Sequence, residues 1–161
     1  MYITCLDLEG VLVPEIWIAF AEESGIPELK RTTRDEPDYD KLMKWRIGVL
    51  KEHGLGLKEI QETIAKIDPL PGAKKFLDKL RKECQVIIIS DTFTQFAGPL
   101  MEKLGQPTIF CNSLEVAADG EITGFKMRVE NSKLTTVKAL QSIGYDTIAS
   151  GDSYNDLAMI Q

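Results

Sequence analysis

Apolar runs and amphipathic segments alternate along most of this chain, which is typical of a protein built from strands and helices. Four apolar segments are predicted strands: Tyr2 to Leu8, Gln85 to Ser90, Pro107 to Cys111, and Thr147 to Ser150 with a start near Tyr145. The second of them is apolar throughout, as expected for a central parallel strand covered on both faces. Three helices are predicted around these strands: Gly72 to Glu83, Thr94 to Leu104, and Ser132 to Ile143. The pattern predicts an α/β fold, a Rossmann-like parallel sheet flanked by helices.

Residues 13–70 interrupt this alternation. They predict three helices in a row: Glu15 to Ser24, Asp40 to His53, and Leu57 to Ile67. In the second of these, apolar positions such as Leu42, Trp45 and Val49 recur at helical spacing. We interpret residues 13–70 as a helical cap domain inserted after the first strand, so that residues 1–12 and 71–161 form the core. The charged stretch from Arg31 to Asp40 is predicted to be an exposed connection.

Two features near the C-terminus complete the predicted core. Leu114 to Val116 and Ile122 to Val129 predict a β-hairpin around an Asp119-Gly120 turn. Residues 155–161 resemble the opening of a helix with no strand after it, so the core is expected to be incomplete at its C-terminal end.

Two acidic turns suggest chemistry. Asp7 and Glu9 lie one residue apart where the first predicted strand ends, and residues two apart in a strand point to the same side. Strand ends of this kind border the ligand crevice of an open α/β sheet, where one carboxylate could attack while the other moves protons. Simple loop polarity is the competing interpretation. A second acidic turn, with Asp152 and Asp156, follows the last predicted strand, so the pair of turns indicates one cation site.

Composition narrows the classes of function. The 161 residues are 43% hydrophobic and 27% charged, as in an ordinary globular protein with one core. A net charge of −6 argues against a nucleic-acid partner, which would require a basic face. The scattered Cys5, Cys84 and Cys111 favour a reduced, cytoplasmic protein over a disulfide framework or a zinc site. No apolar run approaches the ~18 residues of a membrane span, and no secretory signal is evident, so no membrane partner is expected.

Four ordered motifs carry a resemblance to a known family: Asp7-Leu8-Glu9-Gly10-Val11-Leu12, Ser90-Asp91-Thr92, Lys133, and Gly151-Asp152-Ser153-Tyr154-Asn155-Asp156. They resemble the motifs of the haloacid dehalogenase superfamily, and the helical insert resembles its type 1 cap. Within the superfamily the chain most resembles the phosphoserine phosphatases. Its first two motifs are similar to those of a branch described as bifunctional phosphoserine phosphatase and phosphoserine–homoserine phosphotransferase.

The resemblance implies a Mg²⁺-dependent hydrolase that acts on O-phosphoserine through an aspartyl phosphate. Asp7 would be the nucleophile, and Glu9 would protonate the leaving alkoxide and then deprotonate the acceptor. Lys133 would offer a positive charge to the phosphate and to Asp7. The metal would be bound by Asp7, the backbone carbonyl of Glu9 and Asp152, while Asp156 would orient the site from outside these ligands or through water.

The resemblance also implies a phosphate pocket on the second motif. The Ser90 hydroxyl and nearby N–H groups would hold phosphate oxygens, and Asp91 and Thr92 would form the floor of the substrate pocket. Most family phosphatases carry Asp at the position of Glu9, and phosphoserine phosphatases usually show Ser-Gly-Gly-Phe where this chain has Ser90-Asp91-Thr92-Phe93. These departures leave the substrate less constrained than the reaction.

An amino-acid phosphate also needs groups that recognise its ammonium and its carboxylate. Glu15 resembles the family's ammonium-binding glutamate, and Arg46 or Lys44 resembles the carboxylate clamp, with Arg giving the better bidentate fit. The alternative for these three is a solvated helix face. His53, the only histidine, receives no role.

Other interpretations stay open. Ser90 could cap the helix that follows it, Lys133 could be a surface lysine, and Asp156 could complement a helix dipole. The function could instead be that of a superfamily phosphatase for another small phosphate ester, or of a phospho-accepting receiver-type domain. The expected partner is a small-molecule amino-acid phosphate. We also expect the protein to transfer phosphate from this partner to homoserine alongside hydrolysis. A homodimer is a further expectation.

Overall fold

The structure is a computed structural model that describes residues 1–152 and 156–160. Its strands are β1 (Tyr2–Leu6), β2 (Gln85–Phe93), β3 (Thr108–Val116), β4 (Ile122–Lys126) and β5 (Asp146–Ser150). They form one sheet in the order β4-β3-β2-β1-β5. The β1–β2, β1–β5 and β2–β3 pairs are parallel, and β4 alone pairs in the antiparallel sense. The predicted α/β sheet is confirmed.

Helices fill the intervals between the strands. They are α1 (Ile16–Ser24), α2 (Tyr39–Glu52), α3 (Leu57–Lys66), α4 (Ala73–Glu83), α5 (Thr94–Lys103), α6 (Ser132–Ser142) and α7 (Leu157–Ile160), with a 3₁₀ turn at Pro27–Lys30. The ends of α1 to α6 agree with the predicted ends to within one residue. None of the helices in the described part of the chain is long and apolar enough to cross a membrane.

The strand boundaries differ more from the prediction. β1 ends at Leu6 instead of Leu8, because the carbonyl of Leu8 already accepts turn hydrogen bonds from the N–H groups of Leu12 and Val13. β2 extends to Phe93, where it pairs with Asn112 of β3. Two predicted strands, 107–111 and 114–116, are one strand in the structure. The first part of β3, up to Asn112, pairs in parallel with β2. From Ser113 onward the same strand pairs with β4 in the antiparallel sense, so β3 continues without a break.

Both faces of the sheet are buried at the central strand β2, as its apolar run predicts. Ile87 and Ile89 pack with Val137 of α6 on one face, whereas Ile88 joins the larger cluster on the other face. That larger cluster also contains side chains from every helix of the 13–70 stretch, such as Ile64 of α3. The stretch packs against α5 and against the edge strand β4, next to the carboxyl end of β1, whereas α4 and α5 themselves lie against β2.

Candidate active site

A tight turn after β1 places Asp7 at the carboxyl edge of the sheet. The Asp7 N–H donates to the Ser150 carbonyl at 3.1 Å, and its Oδ1 accepts from the Leu8 N–H at 2.7 Å. Gly10 then adopts φ = 79°, a left-handed conformation that glycine tolerates without steric cost. The chain therefore leaves the sheet at Asp7, and Glu9 reaches the same side by a turn and not by strand alternation.

One cavity lies at this edge, between the ends of β1 and β2 and the helices that follow β1. Its walls come from segments far apart in the sequence: Asp7, Glu9, Glu15, Trp17, Thr32, Thr33, Arg34, Tyr39, Arg46, Ser90, Asp91, Thr92, Phe93, Lys133 and Asp152. With the exception of Lys44, the residues that the sequence suggested as catalytic or substrate-binding line this cavity.

Lys133 lies at the inner end of the cavity and is only 6% exposed. Its Nζ is 3.5 Å from Asp7 Oδ2 and 3.8 Å from Asp91 Oδ2, and it also bonds closely with Asp156 Oδ1. Burial lowers the pKa of Lys133, but the three carboxylates outweigh this and raise it. The lysine is therefore a buried cation, and its interpretation as a surface lysine is wrong.

Three carboxylates of the two acidic turns converge here. Asp7, Asp152 and Asp156 each offer an oxygen within 4.8 Å of the others, a group that could hold a metal ion. The Asp152 N–H donates to Asp156 Oδ2 at 2.9 Å, and a Cβ at Gly10 would clash with Asp152 Oδ2. Asp156, just before α7, thus joins the cluster directly instead of serving only the helix. Residues 153–155 of this motif lie outside the described residues.

The two carboxylates of the first motif lie in different surroundings. Burial raises the pKa of Asp7, and the nearby Lys133 opposes this shift without cancelling it. The Glu9 side chain lies apart from the acidic cluster, since its Oε2 accepts from the Ile16 N–H at 3.1 Å at the start of α1. Burial raises the pKa of Glu9 to about 7, against the lowering effects of this hydrogen bond and of Arg46. A carboxyl with such a pKa can both give and take a proton near neutral pH.

The second motif forms the cavity floor. The Ser90 Oγ accepts from the Thr92 N–H at 3.1 Å. Helix α5 begins only at Thr94 with Phe93 at its N-cap, so the interpretation of Ser90 as a helix cap is wrong. Burial raises the pKa of Asp91, whose carboxylate faces Lys133. The buried Thr92 Oγ1 has no hydrogen-bond partner among the described residues.

The structure distinguishes the two candidates for the carboxylate clamp. Arg46 is buried, with its guanidinium 4.7 Å from the Trp17 ring centroid and its Nη2 donating to the Arg31 carbonyl at 3.0 Å. Its Nε has no hydrogen-bond partner within the part of the chain that the structure describes. Lys44 instead projects from α2, with its side chain 72% exposed and paired to Asp40 at 2.6 Å. Arg46 lines the cavity and Lys44 does not.

Sequence reasoning missed part of the cavity wall. The stretch from Arg31 to Asp40 is exposed in part, as predicted, but Thr32, Thr33 and Arg34 line the cavity. Arg34 Nη2 lies 3.7 Å from Glu15 Oε1. Tyr39 also lines the cavity. The only available signal was position, because this stretch leads directly into α2, the helix that carries Arg46.

Comparisons with known proteins agree with this geometry. A family model described as haloacid dehalogenase-like hydrolase matches residues 17–161. The chain is 56% identical over 160 residues to "Phosphoserine phosphatase ThrH" of Pseudomonas aeruginosa, covering 99% of this chain and 78% of the relative. It is 52% identical over 158 residues to a phosphoserine phosphatase of Pseudomonas syringae pv. tomato, covering 98% of this chain and 67% of the relative.

Solved structures give the same result. A phospho-aspartyl intermediate analogue of phosphoserine phosphatase superposes with a TM-score of 0.81 at 27% identity, over 98% of this chain and 81% of that one. A substrate-bound phosphoserine phosphatase complex gives 0.80 at 26% identity, over 98% and 80% of the two chains. The resemblance noted in the sequence is confirmed: the chain belongs to the haloacid dehalogenase-like hydrolase family.

Proposed function

We propose that this chain is a Mg²⁺-dependent phosphatase that hydrolyses O-phosphoserine through an aspartyl phosphate on Asp7. One observation carries the proposal: a nucleophile candidate, a buried cation and a cluster of oxygen ligands meet in a single cavity. Arg46 Nε and Thr92 Oγ1, two buried polar atoms without a partner among the described residues, both belong to residues of this cavity, as expected where a polar ligand binds. The relatives named as phosphoserine phosphatases support the same substrate.

At the inner end, Asp7 attacks the phosphorus and the bond from phosphorus to the ester oxygen breaks. Glu9 gives its proton to the departing alkoxide, which leaves as serine. Water then attacks the same phosphorus, passes a proton to Glu9 and releases inorganic phosphate, which restores Asp7. Lys133 and the Ser90 hydroxyl hold the phosphate oxygens and balance their charge through both steps.

The chemistry of the donor set fits Mg²⁺. Asp7, Asp152 and Asp156 offer carboxylate oxygens, which this hard cation prefers, and no histidine or thiol is part of the group. The side chain of Asp152 fits against Gly10 because that residue has no Cβ. The ion would supply positive charge that makes the phosphoryl group accessible to an anionic nucleophile. Because both Asp156 oxygens already accept hydrogen bonds, from Lys133 Nζ and from the Asp152 N–H, Asp156 would orient the site from behind the ligands.

At the outer end, Glu15 would accept the substrate ammonium and Arg46 its carboxylate. The Nε of Arg46 is available for this contact because it has no partner among the described residues, whereas Nη1 contacts Met43 Sδ and Nη2 donates to the Arg31 carbonyl. Asp91 and Thr92 would form the floor beneath the serine side chain. We further propose that residues 13–70 act as the cap of a core formed by 1–12 and 71–161, and that the enzyme works in the cytoplasm.

Phosphate release from a panel of small phosphate esters, with and without Mg²⁺, tests the function. The expected result is Mg²⁺-dependent release that is fastest with O-phosphoserine. Faster release from a sugar phosphate or a nucleotide would contradict the proposed substrate, but the proposed reaction, hydrolysis of a phosphate ester, would stand. A stable phosphoprotein that does not turn over would instead favour a receiver-type domain. The three helices that follow β1 and the family assignment argue against that alternative.

A second activity concerns the acceptor in the second step. Homoserine has the same ammonium and carboxylate as serine and one more methylene, so Glu15 and Arg46 could hold it with its hydroxyl beside Glu9. We propose that it competes with water for the phosphoryl group of Asp7. Phosphorus NMR of the enzyme with O-phosphoserine and excess homoserine should show phosphohomoserine next to inorganic phosphate. Inorganic phosphate as the sole product, at a rate independent of homoserine, would rule the transfer out.

A further inference from the structure

The regular pairing of β2 with β3 is interrupted next to the proposed phosphate site. The parallel register runs through Ile89, shifts, and resumes at Phe93 opposite Asn112. The intervening residues 90–92 are the ones that line the cavity floor. A carbonyl that is even partly buried in such a stretch needs a donor from outside the ladder, because an unpaired one is costly.

Two side chains from distant elements supply donors to one carbonyl in this stretch. The Tyr39 hydroxyl at the start of α2 donates to the Asp91 carbonyl at 2.7 Å. The Asn112 Nδ2 of β3 donates to the same oxygen at 3.3 Å, and Asn112 is only 1% exposed. Because a carbonyl oxygen has two lone pairs, it can accept both bonds at once.

Both donors are themselves held in place. The Tyr39 ring meets Phe125 edge-on, with centroids 6.1 Å apart, and Phe125 in turn packs on Phe93 at 6.5 Å. The Asn112 Oδ1 accepts from the Arg128 N–H at 2.9 Å, which sets the direction of its amide. Burial, followed by the charge of Asp91, raises the pKa of Tyr39, so its hydroxyl keeps the proton that it donates.

We propose that Tyr39 and Asn112 form a two-donor clamp that positions residues 90–92 for phosphoryl transfer. The clamp holds the peptide from Asp91 to Thr92 so that the Thr92 N–H meets the Ser90 Oγ and the Asp91 carboxylate faces Lys133. Both are positioning residues that act through the Asp91 carbonyl. The proposal rests on the proposed phosphatase function for its kinetic consequences, but not for the backbone geometry that it describes.

A double-mutant cycle with Tyr39→Phe and Asn112→Ala tests the clamp. Each single variant leaves one donor on the carbonyl, so we expect kcat/KM to fall about threefold to tenfold. The double variant leaves the partly buried Asp91 carbonyl without either donor. Its loss should therefore exceed the product of the two single losses by at least about fivefold. The contact of Asn112 with Arg128 is lost in both Asn112 variants and cancels in the cycle.

The loss should fall on kcat and be equal for O-phosphoserine and for a phosphate ester without amino and carboxyl groups, because the clamp acts at the phosphate end. Tyr145→Phe is the matched control: this half-buried tyrosine packs on the other face of the sheet and should change neither kinetic constant. Single losses that simply multiply, to within twofold, would overturn the clamp.

Amide hydrogen exchange tests the same claim without turnover. Exchange at the Thr92 amide should speed up by at least about tenfold in the double variant and stay unchanged in Tyr145→Phe. An unchanged Thr92 amide in the double variant would refute the clamp, whatever the kinetics. If the parent enzyme releases no phosphate from O-phosphoserine, the proposed function fails, and the exchange result still decides the clamp.

Discussion

The two ends of the cavity are built on different principles. The inner end is formed where strands stop, and there the buried Lys133 lies 3.8 Å or less from three carboxylates, those of Asp7, Asp91 and Asp156. The outer end is formed by α1, α2 and the stretch between them, and its ion pair, Arg34 with Glu15 at 3.7 Å, is more exposed, with side chains 64% and 28% exposed. The two ends would also have different tasks: the inner end would carry out the reaction, and the outer end would select the substrate. In the proposed mechanism the inner groups would act on any phosphate ester, whereas the outer groups would only distinguish one ester from another.

Removing the nucleophile at the inner end should have the largest effect. Asp7→Asn keeps the shape of the side chain but cannot attack phosphorus, so we expect turnover to fall by at least about 10⁴-fold. Because burial already raises the pKa of Asp7, a neutral amide should not lower the melting temperature. Single-turnover phosphate release measures the loss. Asp68→Asn, at a carboxylate that is 88% exposed, is the control, and activity within tenfold of the parent would exclude Asp7 as nucleophile.

The proposed metal cluster comes next. Asp152→Ala removes one of three converging carboxylates and should weaken Mg²⁺ binding by more than about 100-fold, with activity falling in parallel. Titration calorimetry gives the affinity. Asp146→Ala, at the opposite end of β5 and 70% exposed, should bind Mg²⁺ as the parent does. Equal affinities in the two variants would mean that the acidic turns do not share a cation.

At the outer end the effect should depend on the substrate. Arg46→Ala removes a charge-assisted contact with the substrate carboxylate, so KM for O-phosphoserine should rise about tenfold to a hundredfold. Phosphoethanolamine keeps the ammonium but lacks the carboxylate, and its KM should change little. Lys44→Ala on the same helix is the matched control, because Lys44 faces solvent. An equal rise for both esters would show that Arg46 supports the fold next to Trp17 and does not read the carboxylate.

The exposed pair should give the smallest effect. Arg34→Gln breaks an ion pair in which Arg34 is 64% exposed, and such pairs are worth little in water. We expect KM for O-phosphoserine to change by less than about threefold at low salt, and the difference to vanish as ionic strength rises. A change above tenfold that persists in salt would place Arg34 in direct contact with the substrate, and the outer end would then be as specific as the inner one.

The inner end could be predicted from the sequence because strand ends and acidic turns are local signals. An apolar run followed by Asp7 or by Asp152 marks the edge of the sheet without any knowledge of packing. The helices were predicted for the same reason, since their amphipathic spacing is also local. The prediction for β1 was nevertheless too long: Leu8 is apolar and fully buried, yet its carbonyl belongs to a turn.

The remaining parts could not be predicted because they depend on contacts between distant segments. The bond from Tyr39 to the Asp91 carbonyl joins positions 52 residues apart, and neither residue type signals it. The continuous strand β3 was divided into two because its change of partner, from β2 to β4, leaves no mark on its apolar pattern. The burial of Lys133 likewise depends on segments that are distant in sequence, since the carboxylates around it come from three of them.

The apolar cluster shared by the 13–70 stretch and the sheet limits how far these helices can move away from the sheet. Trp17 of α1 meets Phe96 of α5 edge-on, with ring centroids 5.8 Å apart, inside that cluster. Swinging the whole helical stretch away as a lid would expose several such side chains at about 1.5–3 kcal/mol each. Exposing four of them would make the open form rarer than roughly one molecule in 10⁴. Substrate entry should therefore depend on a small gate, the stretch from Arg31 to Asp38, while the helices behind it stay docked and melt together with the sheet.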